Sequence, residues 1–334
     1  MKVLDKHRHN KPIITRACFT LGNLTFSGDT ANKNVEESHR VITSDTGIPL
    51  LLKLLDMYDE NEKKKKEQKY IQETEDLLTR LIRLIANVST YKKHGEQIVC
   101  SPSMVRLVDI VQRKSILQCE ELVLNIVRCI SNLSFYAVSN TEKTTPLFED
   151  QVKLAKLLAP LILYDHPDAV MESCRAFGNL SRDPQVRQWM SERRVDEAIM
   201  ILLGHSRMDI VRSVCGILIN LSNDEQNRHA KALHGASIVE RLLEVLDHAD
   251  IELVILILQM LFNLSFLDNM FTSHQIQHLH ETIQGMLLYL QEQEQMVEYR
   301  EQVEDQPQYD PDGVVRLRQV STSLLNQLNV LRYE

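Results

Sequence analysis

The sequence has few turn-forming residues and few aromatic residues for its length. Only 10 glycines and 9 prolines occur among 334 residues, and Phe, Tyr and Trp together make up 5%. Hairpins and tight turns rely on Gly and Pro, and β-strands are enriched in aromatic side chains. The composition therefore disfavours a β-rich fold and predicts long helices.

The sequence also lacks the charge of a polyanion-binding protein and the apolar run of a membrane span. The formal net charge is −8, so no global positive field attracts nucleic acid. The most apolar stretch, residues 253–262, is about half of the ~20 residues that a spanning helix needs. Residues 1–20 contain no apolar core of a signal peptide. We therefore expect no nucleic-acid partner and no membrane insertion.

Paired cysteines and catalytic motifs are missing too. The six cysteines form no CxxC pair, which indicates reduced thiols and a cytoplasmic location. No Walker loop, GxGxxG or GxSxG motif occurs. His274, His278 and His280 lack a third metal ligand, so surface histidines are the better interpretation. The sequence predicts no catalytic residue, no cofactor and no metal, and hence a protein that is not an enzyme.

What the sequence does contain is a repeat. A five-residue phrase with a central asparagine and a terminal Ser or Thr recurs six times, with its asparagines at Asn23, Asn87, Asn132, Asn179, Asn220 and Asn263. The last four spacings are 45, 47, 41 and 43 residues, and the first is 64. Periods of about 40–47 residues are typical of helical repeat arrays.

Each repeat follows a common plan. An apolar segment such as residues 48–55 is followed by a polar break with an Asp, as at Asp168, Asp209 and Asp250. We expect that Asp to be a helix N-cap, because its carboxylate accepts exposed amide hydrogens. A nearly all-apolar helix then runs into the asparagine phrase, as in residues 251–266. Such a helix must be covered on both flanks, which stacked neighbouring repeats provide.

This plan resembles the armadillo repeat over residues 13–290. Residues 47–55 match the second helix of that family, and the asparagine phrases match the end of its third helix. The resemblance implies an all-α, armadillo-type α-solenoid, a superhelical stack of about six three-helix repeats. The first repeat lacks its first two helices, so the chain is expected either to be the C-terminal part of something longer or to be capped another way at that end.

The domain organisation follows from that resemblance. We expect a repeat array over residues 1–290, with an insertion loop at about residues 56–75 that explains the long first spacing. The loop includes Lys63–Lys66, which we interpret as a solvated charged segment, with contact to an acidic surface as the alternative. An acidic flexible linker is predicted at residues 291–313. An amphipathic helix at residues 314–334 either caps the last repeat or binds a partner.

The recurring asparagines are the first candidate binding residues. An amide offers two donors and one acceptor, so a row of them can hold the backbone of an extended peptide. Armadillo receptors of the importin and catenin type use the matching asparagine in this way. The alternative is that the amides cap their helix ends or bond to the adjacent repeat. The predicted protein-binding groove therefore includes Asn87, Asn132, Asn179, Asn220 and Asn263.

The residue four before each asparagine lies one turn back on the same helix face. It is arginine in three successive repeats, at Arg83, Arg128 and Arg175. A guanidinium favours carboxylates, so we expect the partner segment to be acidic. Importins place Trp at this position instead, which argues against an import receptor. The alternative is that these arginines pair with carboxylates of the array itself.

Several phrases resemble the C-terminal array of one ciliary branch of the armadillo family. These include Cys119–Leu124, Ile130–Tyr136, Arg175–Ser181 and Cys215–Leu221. The resemblance implies an adaptor in motile cilia and sperm flagella that links axonemal complexes, such as radial spokes and the central apparatus, to intraflagellar transport. The alternatives are a permanent structural component of the axoneme and a peptide receptor of the importin or catenin type.

Overall fold

The computed structural model describes residues 1–25, 46–139, 145–223, 235–267, 270–300 and 311–332, and every regular element within these ranges is helical. The first helices are α1 (Lys2–Lys6), α2 (Lys11–Leu24), α3 (Gly47–Lys64), α4 (Gln68–Val88), α5 (Lys92–Val99), α6 (Val105–Arg113), α7 (Glu120–Ser139), α8 (Gln151–Leu158) and α9 (Pro167–Leu180). They are followed by α10 (Pro184–Glu192), α11 (Val195–Ile201), α12 (Met208–Ser222), α13 (Gly235–Leu246), α14 (Ile251–Leu264), α15 (Ser273–Arg300) and α16 (Pro311–Leu331).

Side-chain caps fix several helix starts. The Asn10 side chain accepts a hydrogen bond from the amide of Ile13, 3.3 Å away, at the start of α2. The Asp250 carboxylate accepts from the amide of Leu253 at 3.0 Å, so it caps α14 as predicted. Asp168 and Asp209 were also expected to be N-caps, but each lies inside the first turn of its helix. There a carboxylate still interacts favourably with the positive end of the helix dipole.

The chain divides into two compact units, Met1–Val186 and Arg187–Glu334. In the first unit the asparagine-bearing helices α2, α4, α7 and α9 pack successively against one another. The middle helices of this row bury apolar side chains on two flanks. In α4 and α7 they are Leu77, Leu81, Leu84, Ile85, Val123, Ile126, Val127 and Ile130. Each fully buried Leu or Ile stabilises the fold by roughly 1.5–3 kcal/mol, so this row is the core of the unit.

The second unit repeats this packing and ends in a helical cap. Helix α14 packs against α12 on one side and α16 on the other, and α15 also packs against α16. Leu317, Leu324 and Leu328 of α16 are buried. The Gln327 side chain donates to the carbonyl of Ser265 at 3.4 Å, where α14 ends. Helix α16 thus covers α14 as a further repeat would, which is the first of the two roles predicted for it.

The prediction of an insertion loop at residues 56–75 is wrong, because most of these residues are helical. Helix α3 continues through Lys64, and α4 begins at Gln68, so only three residues separate them. Most residues of the predicted loop therefore belong to two helices. Their polar composition suggested a loop. The acidic side chains of Asp59 and Glu62 are instead buried, paired with Arg113 at the end of α6 and with Lys114 directly after it.

The predicted flexible linker at residues 291–313 is also partly wrong. Helix α15 extends to Arg300, and α16 begins at Pro311. Residues 301–310 lie outside the described residues. The glutamine- and glutamate-rich composition after Leu290 favoured a linker. However, Glu and Gln are good helix formers, and here they prolong α15.

Candidate functional site

The arginines and asparagines singled out by the sequence share one face of each helix. Neighbouring helices cover both flanks of α4 and α7, which leaves one narrow stripe of each accessible. In α4 this stripe includes Asp76, Arg80 and Arg83, spaced by three or four residues. The predicted site residues of the first unit therefore lie in one row across adjacent helices.

The asparagine amides of this row hold neighbouring helices together. The Asn87 side chain donates to the carbonyl of Gly22 at 2.8 Å, and the Asn132 side chain donates to the carbonyl of Ala86 at 2.9 Å. Both carbonyls lie in the last turn of a helix, among the four C=O groups that have no partner within their own helix. Each of the two amides thus satisfies an acceptor at the end of the preceding helix.

The same amides also reach the hydroxyl that ends the preceding asparagine phrase. Asn179 donates to Ser134 Oγ at 2.9 Å, and Asn263 donates to Ser222 Oγ at 2.9 Å. Asn132 reaches Ser89 Oγ at 3.3 Å, and Asn87 lies 3.5 Å from Thr25 Oγ1. These hydroxyls in turn donate to carbonyls of their own helix, at Leu21, Ala86, Ser131 and Ile219. We call this arrangement the Asn–Ser relay: a Ser or Thr hydroxyl donates to a carbonyl of its own helix and accepts from the asparagine amide of the next asparagine-bearing helix.

The relay gives a role to the Ser or Thr that ends four of the phrases, at Thr25, Ser89, Ser134 and Ser222, a signal present in the sequence and missed there. The hydroxyl both donates and accepts, so an alanine could not replace it without loss of a bond. It also supports the alternative weighed for the asparagines, because four of the six amide groups bond to the preceding repeat. Asn220 is half-buried at the same register of the second unit.

Loss of one relay amide should destabilise the first unit. Replacing Asn132 by Ala removes its donors to Ala86 and Ser89 and its acceptor for Arg175. Leaving such buried groups unpaired costs about 1–3 kcal/mol, measurable as a lower denaturation midpoint. Asn23→Ala is the matched control, since Asn23 is exposed at the same register and should change stability by less than ~0.5 kcal/mol. Equal effects of both variants would contradict the relay.

Two of the three arginines are bound to a carboxylate of the array. Arg128 Nε lies 2.9 Å from one oxygen of Glu172, and Arg175 Nη1 lies 2.7 Å from the other. Arg175 Nη2 also donates to Asn132 Oδ1 at 3.1 Å. Glu172 is buried, so its charge needs these partners. The pairing alternative weighed for the arginines therefore holds for Arg128 and Arg175.

Arg83 differs from the other two arginines. Among the residues that the structure describes, no carboxylate lies within ion-pair distance of Arg83. Its neighbour one turn earlier, Arg80, is neutralised by Glu121 at 2.6 Å and Asp76 at 3.4 Å. Because Glu172 offsets only one of the charges of Arg128 and Arg175, the three predicted arginines retain a net positive charge.

Exposed aromatic side chains, which were not among the predicted site residues, accompany the row. Phe19 is 48% exposed at the position where the next three repeats have arginine, and Phe135 is 54% exposed three residues after Asn132. The Arg80 guanidinium lies 5.7 Å from the centre of the Phe19 ring. Apolar contact area is thus available next to the positive charges.

The cysteines that precede the asparagines belong to the core. Cys18, Cys174 and Cys215 are fully buried, and burial raises the pKa of each thiol to about 12. A thiol with such a pKa is not a nucleophile at neutral pH. Within the described ranges no group of His, Cys, Asp and Glu is placed to hold a metal, and no helix is long and apolar enough to cross a bilayer.

Comparison with known proteins places this geometry among armadillo repeats. No family model matches the sequence. Armadillo repeat-containing protein 2 of Mus musculus is 31% identical over 275 residues, which is 79% of this chain. The chain spans about a third of that relative's length, 31%.

Solved structures show the same fold. A structure from work on a phosphorylation switch in the interaction between cadherin and beta-catenin superposes with a TM-score of 0.69 at 15% identity, covering 97% of this chain and 59% of that one. A designed armadillo repeat protein in complex with the peptide (KR)4 has a TM-score of 0.51 at 15% identity, covering 76% of this chain and 94% of the designed one.

These similarities confirm two predictions, the all-α armadillo solenoid and the resemblance to one branch of the armadillo family. Structures at such low identity establish the fold, whereas the sequence similarity supports the resemblance to that branch. The chain is an armadillo-type α-solenoid whose sequence is similar, over four-fifths of its length, to armadillo repeat-containing protein 2.

Proposed function

We propose that this chain is a non-catalytic protein-binding scaffold whose arginine row binds an extended acidic segment of a partner. The observation that carries the proposal is Arg83, accessible on the stripe and without a carboxylate partner among the described residues. Exposed cations at the centre of a helical row attract carboxylates, and adjacent aromatic rings add contact area. A ligand carboxylate would complete the charge pairing that Glu172 begins.

The proposed ligand differs in charge from that of the designed armadillo protein. That protein is described in complex with (KR)4, a basic peptide. In this chain Arg83, Arg128 and Arg175 would repel such a peptide, and no Trp lies at their register. An acidic ligand is therefore favoured over a basic import signal. We further propose that side-chain oxygens of the row, such as that of Asn179, contribute to recognition of the ligand backbone.

The similarity to armadillo repeat-containing protein 2 extends the proposal to motile cilia and flagella. We infer an adaptor role in the assembly or transport of axonemal complexes, the setting that the family resemblance implies. A scaffold that holds acidic segments weakly and reversibly suits cargo bridging. A permanent axonemal component would instead stay with the axoneme after extraction with detergent and high salt, which an adaptor would not.

Charge reversal at a single arginine tests the row. Reversing Arg128 or Arg175 would place new carboxylates beside buried Glu172 and risk unfolding, whereas Arg83 has no such partner. We expect Arg83→Glu to lose the acidic partners that the intact chain recovers from a lysate of ciliated cells, read by mass spectrometry. Arg193→Glu, an exposed arginine of the second unit, is the matched control and should keep them.

The outcomes of this experiment separate the alternatives. Identical partners for Arg83→Glu and Arg193→Glu would rule out the arginine row as the binding site. Partners that carry no acidic segment, or tight binding of a lysine-rich import peptide, would favour the importin or catenin type of receptor. If the only partners that Arg83→Glu loses are not ciliary proteins, the scaffold role is supported and the ciliary role is not.

A further inference from the structure

A second positive surface lies at the other ends of the same helices. The loop before α2 and the start of α4 meet there around an open cleft of about 630 Å³. Its lining includes Lys6, His7, His9, Lys11 and Tyr70. Tyr70 precedes Arg83 by 13 residues of α4, which corresponds to about 20 Å along the helix. The cleft is therefore separate from the arginine row.

Hydrogen bonds between the two segments fix the floor of the cleft. Tyr58 Oη donates to the carbonyl of Arg8 at 2.7 Å, and Lys11 Nζ donates to the carbonyl of Tyr70 at 3.0 Å. The Lys11 ammonium also lies 3.0 Å from the centre of the Tyr70 ring and 3.5 Å from a Glu73 carboxylate oxygen. Lys11 thus has a structural role, and the segments are held in register before any ligand binds.

The rim of the cleft carries an excess of positive charge. Residues 5–11 and 64–73 contain seven Lys and Arg side chains and three Asp and Glu side chains, in a chain whose net charge is −8. Lys64, Lys65, Lys66 and Lys69 are all exposed. Lys65 Nζ lies 6.0 Å from the centre of the Tyr70 ring, which places this lysine run at the cleft. The local charge is opposite to that of the molecule as a whole.

We propose that this cleft is a second docking site, specific for a glutamate- or aspartate-rich segment of another polypeptide. The one guanidinium of the rim, Arg8, lies 3.7 Å from Asp5, so the remaining cations are lysine ammonium groups. An ammonium is a hydrated point charge on a flexible stem, without the planar fork that binds one carboxylate or phosphate in a fixed geometry. Flexible lysines around a tyrosine suit a mobile run of carboxylates, and the overall charge of −8 disfavours a long polyanion such as nucleic acid.

The test is the binding of a fluorescently labelled peptide of ten glutamates, followed by anisotropy at low and high salt. The test variant replaces Lys64, Lys65 and Lys66 by Gln and keeps Lys63, which is bound to Asp59. The control variant replaces the exposed Lys92, Lys93 and Lys153 by Gln, so its net charge changes equally. We expect the test variant to bind about tenfold more weakly, and the control within about twofold of the intact chain.

Several results would overturn the proposal. They are no binding by the intact chain, equal weakening in the control variant, and tighter binding of a single-stranded RNA or an anionic vesicle at matched charge. Arg83→Glu distinguishes the two surfaces. If Arg83→Glu abolishes binding and the lysine variant does not, the peptide occupies the arginine row and this cleft is not a site.

Discussion

Replacing both Arg113 and Lys114 by Met should lower the free energy of unfolding by about 3–5 kcal/mol, the cost of leaving a buried charge without its partner. The two carboxylates involved, Asp59 and Glu62, have side chains that are 0% and 3% exposed. Glu62 is held by Arg113 at 3.0 Å and by Lys114 at 2.8 Å. Asp59 would keep Lys63 at 2.8 Å, but Glu62 would lose both cations.

The third substitution Glu62→Gln should restore part of the loss, because it removes the uncompensated charge and keeps the side-chain volume. Arg212→Ala is the control, since its ion pairs with Asp250 and Glu252 are exposed and contribute about 1 kcal/mol or less. Chemical denaturation measures all three. An unchanged midpoint in the Arg113 and Lys114 double variant would show that water or other side chains compensate Glu62.

The pKa of Lys114 determines the pH range over which this residue stabilises the cluster. Burial acts to lower this pKa, but hydrogen bonds and charges from Glu62 and Glu75 outweigh burial, so the net shift is upward from 10.5. A cation with a raised pKa in the folded state stabilises it fully below its unfolded pKa. The contribution of Lys114 is therefore present at neutral pH and is lost only as the pH rises through the folded value.

Replacing Leu324 by Ala should weaken the C-terminal cap by about 2–5 kcal/mol. Leu324 is fully buried where α16 packs against α14 and α15. The cavity should favour a state in which α16 is detached, and the apolar face of α14 should then bind hydrophobic dyes. Limited proteolysis between residues 300 and 311 should release α16 faster than in the intact chain.

Val330→Ala is the matched control for the cap, because Val330 is an exposed aliphatic residue of the same helix. It should change neither the proteolysis rate nor the stability by more than ~0.5 kcal/mol. If Leu324→Ala behaves like Val330→Ala, the contact of α16 with α14 contributes little, and α16 becomes available as a docking element.

Much of the fold could be predicted because its signals are local and periodic. The asparagine phrase marks the end of helices such as α4, α9 and α14, whereas α7 continues past its phrase to Ser139. The apolar residues before the phrase, as in α14, predict burial on both flanks. The Asp250 cap follows from the residue type and its position. These features depend on the spacing of residues along one helix, which the sequence contains in full.

The pairing of charges could not be predicted, because it depends on residues distant in sequence. Glu172 binds Arg128, which lies 44 positions earlier in the chain. Nothing in the local sequence around either residue distinguishes this pair from two solvated charges. For the same reason Asp59 and Glu62 indicated a loop, although their cations lie about 50 residues later. The sequence also did not reveal which partner each asparagine amide takes.

The Asn–Ser relay makes the joint between repeats independent of repeat length. Its contacts involve only the asparagine phrases of two adjacent helices, so spacings of 43, 45, 47 and 64 residues are accommodated elsewhere in each unit. A repeat transplanted from another solenoid should therefore be accepted here if it brings an asparagine at this turn and a hydroxyl two residues later. The array can thus lengthen, shorten or exchange units while the junction chemistry stays constant.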